Sequence, residues 1–67
     1  MKGYRFITDD DTVDFCQRVT EALSNGWKLY GEPKMTFDHK RKVMRCGQAV
    51  VKQSSKKYKK NMDLAKI

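Results

Sequence analysis

The chain has 67 residues, of which 39% are hydrophobic and 34% charged, and a formal net charge of +7. That length admits one domain and only a modest buried core, so a staple, a metal or a partner subunit is expected to support it. Two cysteines, Cys16 and Cys46, are too few for a disulfide framework, and the longest apolar runs fall short of a membrane span.

Residues 3–8, GYRFIT, alternate and are rich in aromatic and branched side chains. They predict a strand with Tyr4 and Phe6 on one face and Arg5 and Ile7 on the other. The stretch TDDDTVDFCQRVTEALSNG predicts a helix, capped by Thr8 or Asp9, with Asp9, Asp10 and Asp11 in its first turn. Steps of about 100° per residue put Phe15, Cys16, Val19, Ala22 and Leu23 on one stripe, with Val13 at its edge. Asp14, Gln17, Arg18 and Glu21 take the other side, where Asp14 and Arg18 are spaced to pair. Asn25-Gly26 is a helix stop.

WKLY, residues 27–30, alternates again, with Trp27 and Leu29 on one face and Lys28 and Tyr30 on the other. After a break at Gly31-Glu32-Pro33, KMTF continues as strand, and DHKR has the length of a hairpin loop. Residues 42–51, KVMRCGQAVV, form the longest strand candidate. Val43, Arg45, Gly47, Ala49 and Val51 share one face; Met44, Cys46, Gln48 and Val50 share the other. The small Gly47 and Ala49 mark a close approach, with the helix as the candidate neighbour.

The order strand–helix–strand–strand predicts an α+β fold. A β-α-β-β domain over residues 1–52 carries a three-stranded mixed sheet in the order 1-3-2, with one helix on one face. Residues 53–67 are a lysine-rich tail whose end, NMDLAKI, can form a short helix capped by Asn61. One helix covers one face of the sheet, so a homo-oligomer is expected to hide the other.

For catalysis the chain is poor. His39 is the only histidine and lies in the hairpin loop. The aspartates are accounted for by helix capping, and Cys16 and Cys46 lack metal-ligand spacing. No glycine-rich phosphate loop occurs. The expectation is a protein that is not an enzyme and uses no cofactor or metal.

Binding is better supported. Residues 1–33 carry a net charge of −2 and residues 34–67 a net charge of +9, which implies an anionic partner or a charge that serves solubility alone. Arg5, Lys28, Tyr30, Lys34 and Arg45 can share the sheet face away from the helix, cations beside an aromatic ring as a nucleotide requires. The other reading of Tyr30 is a packed subunit contact with lysines at its rim. The basic cluster Lys56, Lys57, Tyr58, Lys59 and Lys60 can grip phosphates and stack a base, or can be a solvated tail.

The segments YRFIT, DFCQRVTEALSNGWKLYGEP, MTFD and CGQAVVK resemble a family of short bacterial and phage proteins catalogued as a domain of unknown function. The shared pattern is an aromatic-Arg strand, an F-C-x-x-V helix, G-W-x-L-Y-G-x-P and C-x-Q-A-V. It covers Tyr4 to about Lys52 and leaves out the basic tail. The resemblance implies a compact strand–helix–strand–strand domain and supplies no catalytic residues. In size and charge the chain is also similar in kind to phage sponge proteins that sequester nucleotide signals.

The leading expectation is a cytoplasmic, non-enzymatic, oligomeric module in a bacterial host cell that captures a small anionic ligand, a nucleotide. Arg5, Lys28, Lys34 and Arg45 would contact phosphate, while Tyr30 and Pro33 would shape the rim and Trp27 would be core. The alternatives are nucleic-acid binding through the tail and a protein-interaction or inhibitor module with an exposed sheet edge.

Overall fold

The computed structural model describes all 67 residues. The chain runs β1 (Lys2–Asp10), α1 (Val13–Ser24), β2 (Lys28–Asp38) and β3 (Val43–Gln53), and ends in a 3₁₀ turn, Leu64–Lys66. The three strands form one sheet in the order β1-β3-β2. β3 takes the centre because it is apolar on both sides, and residues 46–50 are all buried. Both ladders are antiparallel. The sheet is therefore antiparallel, which corrects the mixed sheet expected from the β1–α1–β2 crossover. β1 and β2 do run the same way, but β3 lies between them and no parallel ladder forms.

Residues directly opposite across a ladder share a face. On one side, Arg5 and Leu29 flank Val50. There Ile7, Ala22, Trp27, Val50 and Ile67 make the core, with Phe15, Val19, Met62 and Leu64 packed against it. Trp27 is only 2% exposed, and its buried Nε1–H finds no acceptor.

The helix ends as its sequence requires. Gly26 takes a φ of 92°, which brings its N–H to the Leu23 carbonyl at 3.2 Å and the Trp27 N–H to the Ala22 carbonyl at 3.1 Å. These bonds give partners to the last carbonyls of the helix, Ala22 accepting from Asn25 N–H as well, and they aim Trp27 into the core.

The helix start differs from expectation. β1 continues to Asp10, Asp11 N–H donates to the Met44 carbonyl at 2.9 Å, and Thr12 holds the N-cap position without a side-chain capping bond. Only Asp14 lies in the first turn. Asp9 and Asp10 are held in the sheet and serve as ion-pair partners instead. Arg18 Nη1 reaches Asp9 at 3.3 Å and donates to the Thr8 carbonyl at 2.7 Å, so Arg18 binds β1 and not Asp14. These bonds tie α1 to β1. Cys16 and Leu23, on the stripe, stay exposed because the helix does not reach across β2.

The C-terminal segment folds back on the domain. Lys52 Nζ donates to the carbonyls of Asn25 and Ile67, both at 2.6 Å, and Ile67 is buried against Trp27 and Gly3. The closing turn is capped by Asp63, whose carboxylate accepts from Ala65 N–H at 3.0 Å, and not by Asn61.

Candidate anion-binding face

The side of the sheet away from α1 has no second layer. Its rows across β1, β3 and β2 read Tyr4–Val51–Lys28, Phe6–Ala49–Tyr30 and Thr8–Gly47–Lys34, ending at Asp10–Arg45–Thr36. Aromatic rings and lysines therefore share one flat surface, with small residues along the central strand.

Two local features build it. The first is the bulge in β2 between Tyr30 and Lys34. Gly31 turns through a φ of 72°, Pro33 offers no N–H, and Gln48 Nε2 donates to the carbonyls of Tyr30 at 3.4 Å and Gly31 at 3.3 Å. Two extra residues keep the side-chain parity and move Lys34 to the row next to Tyr30. The second is Gly47. A Cβ there would collide with the Phe6 ring, so the ring lies over the central strand. The close approach read from Gly47 is real, but the neighbour is Phe6 on the open face and not the helix, which packs over Cys46, Gln48 and Val50.

Phe6 remains 48% exposed and Tyr30 58%. Beside Phe6 is a shallow recess of about 280 Å³ lined by Thr8, Lys34, Thr36, Arg45 and Gly47 among others. A second, of about 360 Å³, lies between Lys2, Tyr4, Tyr30 and Val51.

Lys28, Tyr30, Lys34 and Arg45 thus sit on the open face. Lys28 and Lys34 have no carboxylate partner, whereas Arg45 is paired to Asp10 at 2.9 Å. Arg5 is on the opposite face, over the Trp27 ring at 5.2 Å, because odd-numbered β1 residues point to the helix. Pro33 is exposed in the bulge. The cluster Lys56, Lys57, Tyr58, Lys59 and Lys60 is exposed but lines neither recess, and Lys56 Nζ donates to the Lys66 carbonyl at 3.1 Å. Phe6, Thr8, Thr36 and Gly47 complete the face. The alternation of β1 already put Phe6 opposite Arg5, and a residue too small to shield a ring was the signal at Gly47.

The family model described as "Domain of unknown function (DUF1737)" matches residues 1–53. The chain belongs to that family. The match takes in β1, α1, β2 and β3, hence the whole open face, and stops where the C-terminal segment begins to fold back. No curated protein and no solved structure matches the chain.

Several ionisable groups of this DUF1737 domain are held by one another. Arg41 binds Asp10 through two bonds, at 2.9 and 2.6 Å, and Arg45 adds a third at 2.9 Å. The Arg41 hydrogen bond, then that of Arg45, holds the Asp10 carboxyl below the usual carboxylate range; Asp10 in turn raises Arg41. Burial, followed by the Asp11 charge, pushes the Cys46 thiol up, so it stays protonated and weakly nucleophilic. His39 stands edge-on to Phe37, with ring centres 5.0 Å apart. No group of three or more His, Cys, Asp or Glu side chains is placed to hold a metal ion, and no helix is long and apolar enough to cross a membrane.

Proposed function

We propose that the chain is a non-enzymatic, oligomeric binding module of a bacterial cell that captures an anionic ligand of the nucleotide class on the open face of its sheet. One observation carries the reading: the tip of the exposed Phe6 ring reaches over Gly47, whose row also holds Lys34, a cation with no carboxylate partner. A planar base stacks on Phe6 or Tyr30, and phosphate oxygens accept from Lys34 and Lys28. The hydroxyls of Thr8 and Thr36 and the N–H groups Arg45 does not spend on Asp10 complete the polar set.

Magnitudes explain why assembly belongs to the reading. Stacking contributes about 1–3 kcal/mol per base, and a hydrogen bond to a charged group about 1.5–3 kcal/mol. Lost translational and rotational freedom opposes this by roughly 4–15 kcal/mol. A single open face therefore holds a ligand weakly, and contacts added by assembly offset that cost. Sequestration of a nucleotide signal of phage defence is the biological form that fits such a module.

Native mass spectrometry of gently purified protein tests both halves. The expected result is a discrete oligomer carrying a nucleotide-sized mass. In parallel, Lys34→Ala and Tyr30→Ala should each weaken ATP binding by about tenfold or more. Unchanged affinity in both variants would remove the site assignment.

A second reading rests on Tyr58, which is 65% exposed within the lysine cluster: binding of single-stranded nucleic acid by residues 56–60. Because Ile67 belongs to the core, charge reversal at Lys57 and Lys59 tests this better than truncation. Affinity with a steep salt dependence, lost in that variant, would support it. Strand addition to the β2 edge is disfavoured by the bulge and Pro33, devices that blunt an edge.

A further inference from the structure

We infer that the open face carries a row of base sites, and that its ligand is a single-stranded nucleic acid. The inference rests on the proposed reading of that face and extends it from one nucleotide to a chain of them.

The face is polarised across the sheet. β1 presents two rings, Tyr4 and Phe6, and β2 presents two cations, Lys28 and Lys34. Tyr4 shares its row with Lys28, and the tip of Phe6 reaches over Gly47 into the row of Lys34. A ring and a cation rising from backbone positions about 10 Å apart, two strand spacings, therefore occur twice along the strands. Tyr30 lies between the two pairs. One recess adjoins Phe6 and Lys34, and the other lies between Tyr4 and Tyr30. Tyr4 is 55% exposed, as free to stack as Phe6 and Tyr30. A mononucleotide has one base and leaves rings bare, whereas a strand offers a base to each ring and a phosphate to each lysine. Each added nucleotide brings its contacts without a second loss of translational freedom.

The charge favours a polymer as well. Lys2, Lys28 and Lys34 make no ion pair. From the Lys2–Gln53 pair to the Thr8–Gly47–Lys34 row, no ladder residue of the face is acidic. The next in β1 is Asp10, which Arg41 and Arg45 already hold. Residues 1–4, 28 and 51–67 make up the end of the sheet from the Tyr4–Val51–Lys28 row outward, with the C-terminal segment that folds back on it. They hold eight lysines against one acidic residue, Asp63. Elsewhere seven basic and seven acidic side chains cancel, so the whole net charge of +7 gathers at this end. A nucleotide at Phe6 and Lys34 reaches little of that field; a strand that runs on past Tyr4 enters it. An anionic lipid surface would meet the lysines but leave the two recesses, each walled by a ring, without a flat partner.

Fluorescence anisotropy of the full chain with a labelled thymidine octanucleotide, displaced by ATP as the mononucleotide control, tests the inference. The octamer should bind at least about a hundredfold tighter than ATP, with a salt slope of about −2 from three lysines. Tyr4→Ala should weaken the octamer about tenfold and leave ATP unchanged, and Lys2→Ala should make the salt slope shallower by about 0.7. Amide-resolved NMR of the parent chain needs no substitution: octamer shifts should extend from Gly47 and Lys34 to Lys2, Tyr4 and Val51. ATP binding with an octamer no tighter would overturn the inference and leave the single-nucleotide site standing; loss of both ligands would remove that site and the inference together. Octamer binding that survives Tyr4→Ala and Tyr30→Ala but is lost on charge reversal at Lys57 and Lys59 would overturn it, as would uptake on phosphatidylserine vesicles without octamer binding.

Discussion

On the helix side of the sheet, Ile7, Trp27 and Val50 are closed over by α1 and Ile67. An odd number of residues along the chain from each of these, Phe6, Tyr30 and Ala49 face the other way, and the two rings remain in contact with water. The same three strands thus carry a finished core and an unfinished surface. A chain of 67 residues has one 12-residue helix to place over strands of 9 to 11 residues. Once Arg18 ties that helix to β1, nothing remains to cover β2 or the far side. Where burial is complete, a side chain acts through packing. Where it is incomplete, as at Phe6 beside Lys34, the side chain is available to something outside the chain.

The contrast should show first in stability. Trp27→Ala removes the largest core side chain, a loss of about 3–5 kcal/mol. A small domain has little more than that in total, so the variant should be largely unfolded by thermal circular dichroism. Tyr30→Ala on the open face should stay within about 0.5 kcal/mol of the parent.

Ile67→Ala should lower stability by about 2–3 kcal/mol and shift Trp27 fluorescence to the red, because Ile67 packs on that ring. An unchanged spectrum would detach the C-terminal segment from the core.

Gly47→Val should lower stability by about 1–3 kcal/mol through collision with Phe6. Adding Phe6→Ala should recover most of that loss, a coupling absent if Gly47 abutted the helix.

The smallest effect concerns pH. Asp10 titrates lower in the folded chain than its ordinary value of 3.8. Its contribution is complete above that value and is lost as pH falls through the lowered one. In urea melts between neutral pH and pH ~2, Asp10→Asn should flatten this acid decline. An equally steep decline in the variant would assign it to other carboxylates.

Much of this was visible in the residues alone. The alternation of GYRFIT and KVMRCGQAVV set which side chains share a face, and the doubly apolar β3 pointed to the central position. Asn25-Gly26 marked the helix end and the turn of Trp27 into the core. Local pattern could not show that Asp9 and Asp10 would be claimed by Arg18, Arg41 and Arg45, since those partners are 9 to 35 residues away. For the same reason it misread the neighbour of Gly47, and it put Arg5 with the open-face cations although its parity with Ile7 sends it to the core side. The bulge was legible as a break at Gly31-Glu32-Pro33, but its effect on Lys34 depends on Gln48 across the ladder.

An amide-resolved NMR titration of the full chain with ATP tests the two-sided account most directly. The shifts should concentrate at Phe6, Thr8, Tyr30, Lys34 and Gly47, with Ile7, Val50 and, on the same side of the sheet, Leu29, Met35 and Phe37 unmoved. Shifts confined to residues 56–60, or a spectrum unchanged at millimolar ATP, would contradict the assignment of the open face as the ligand surface.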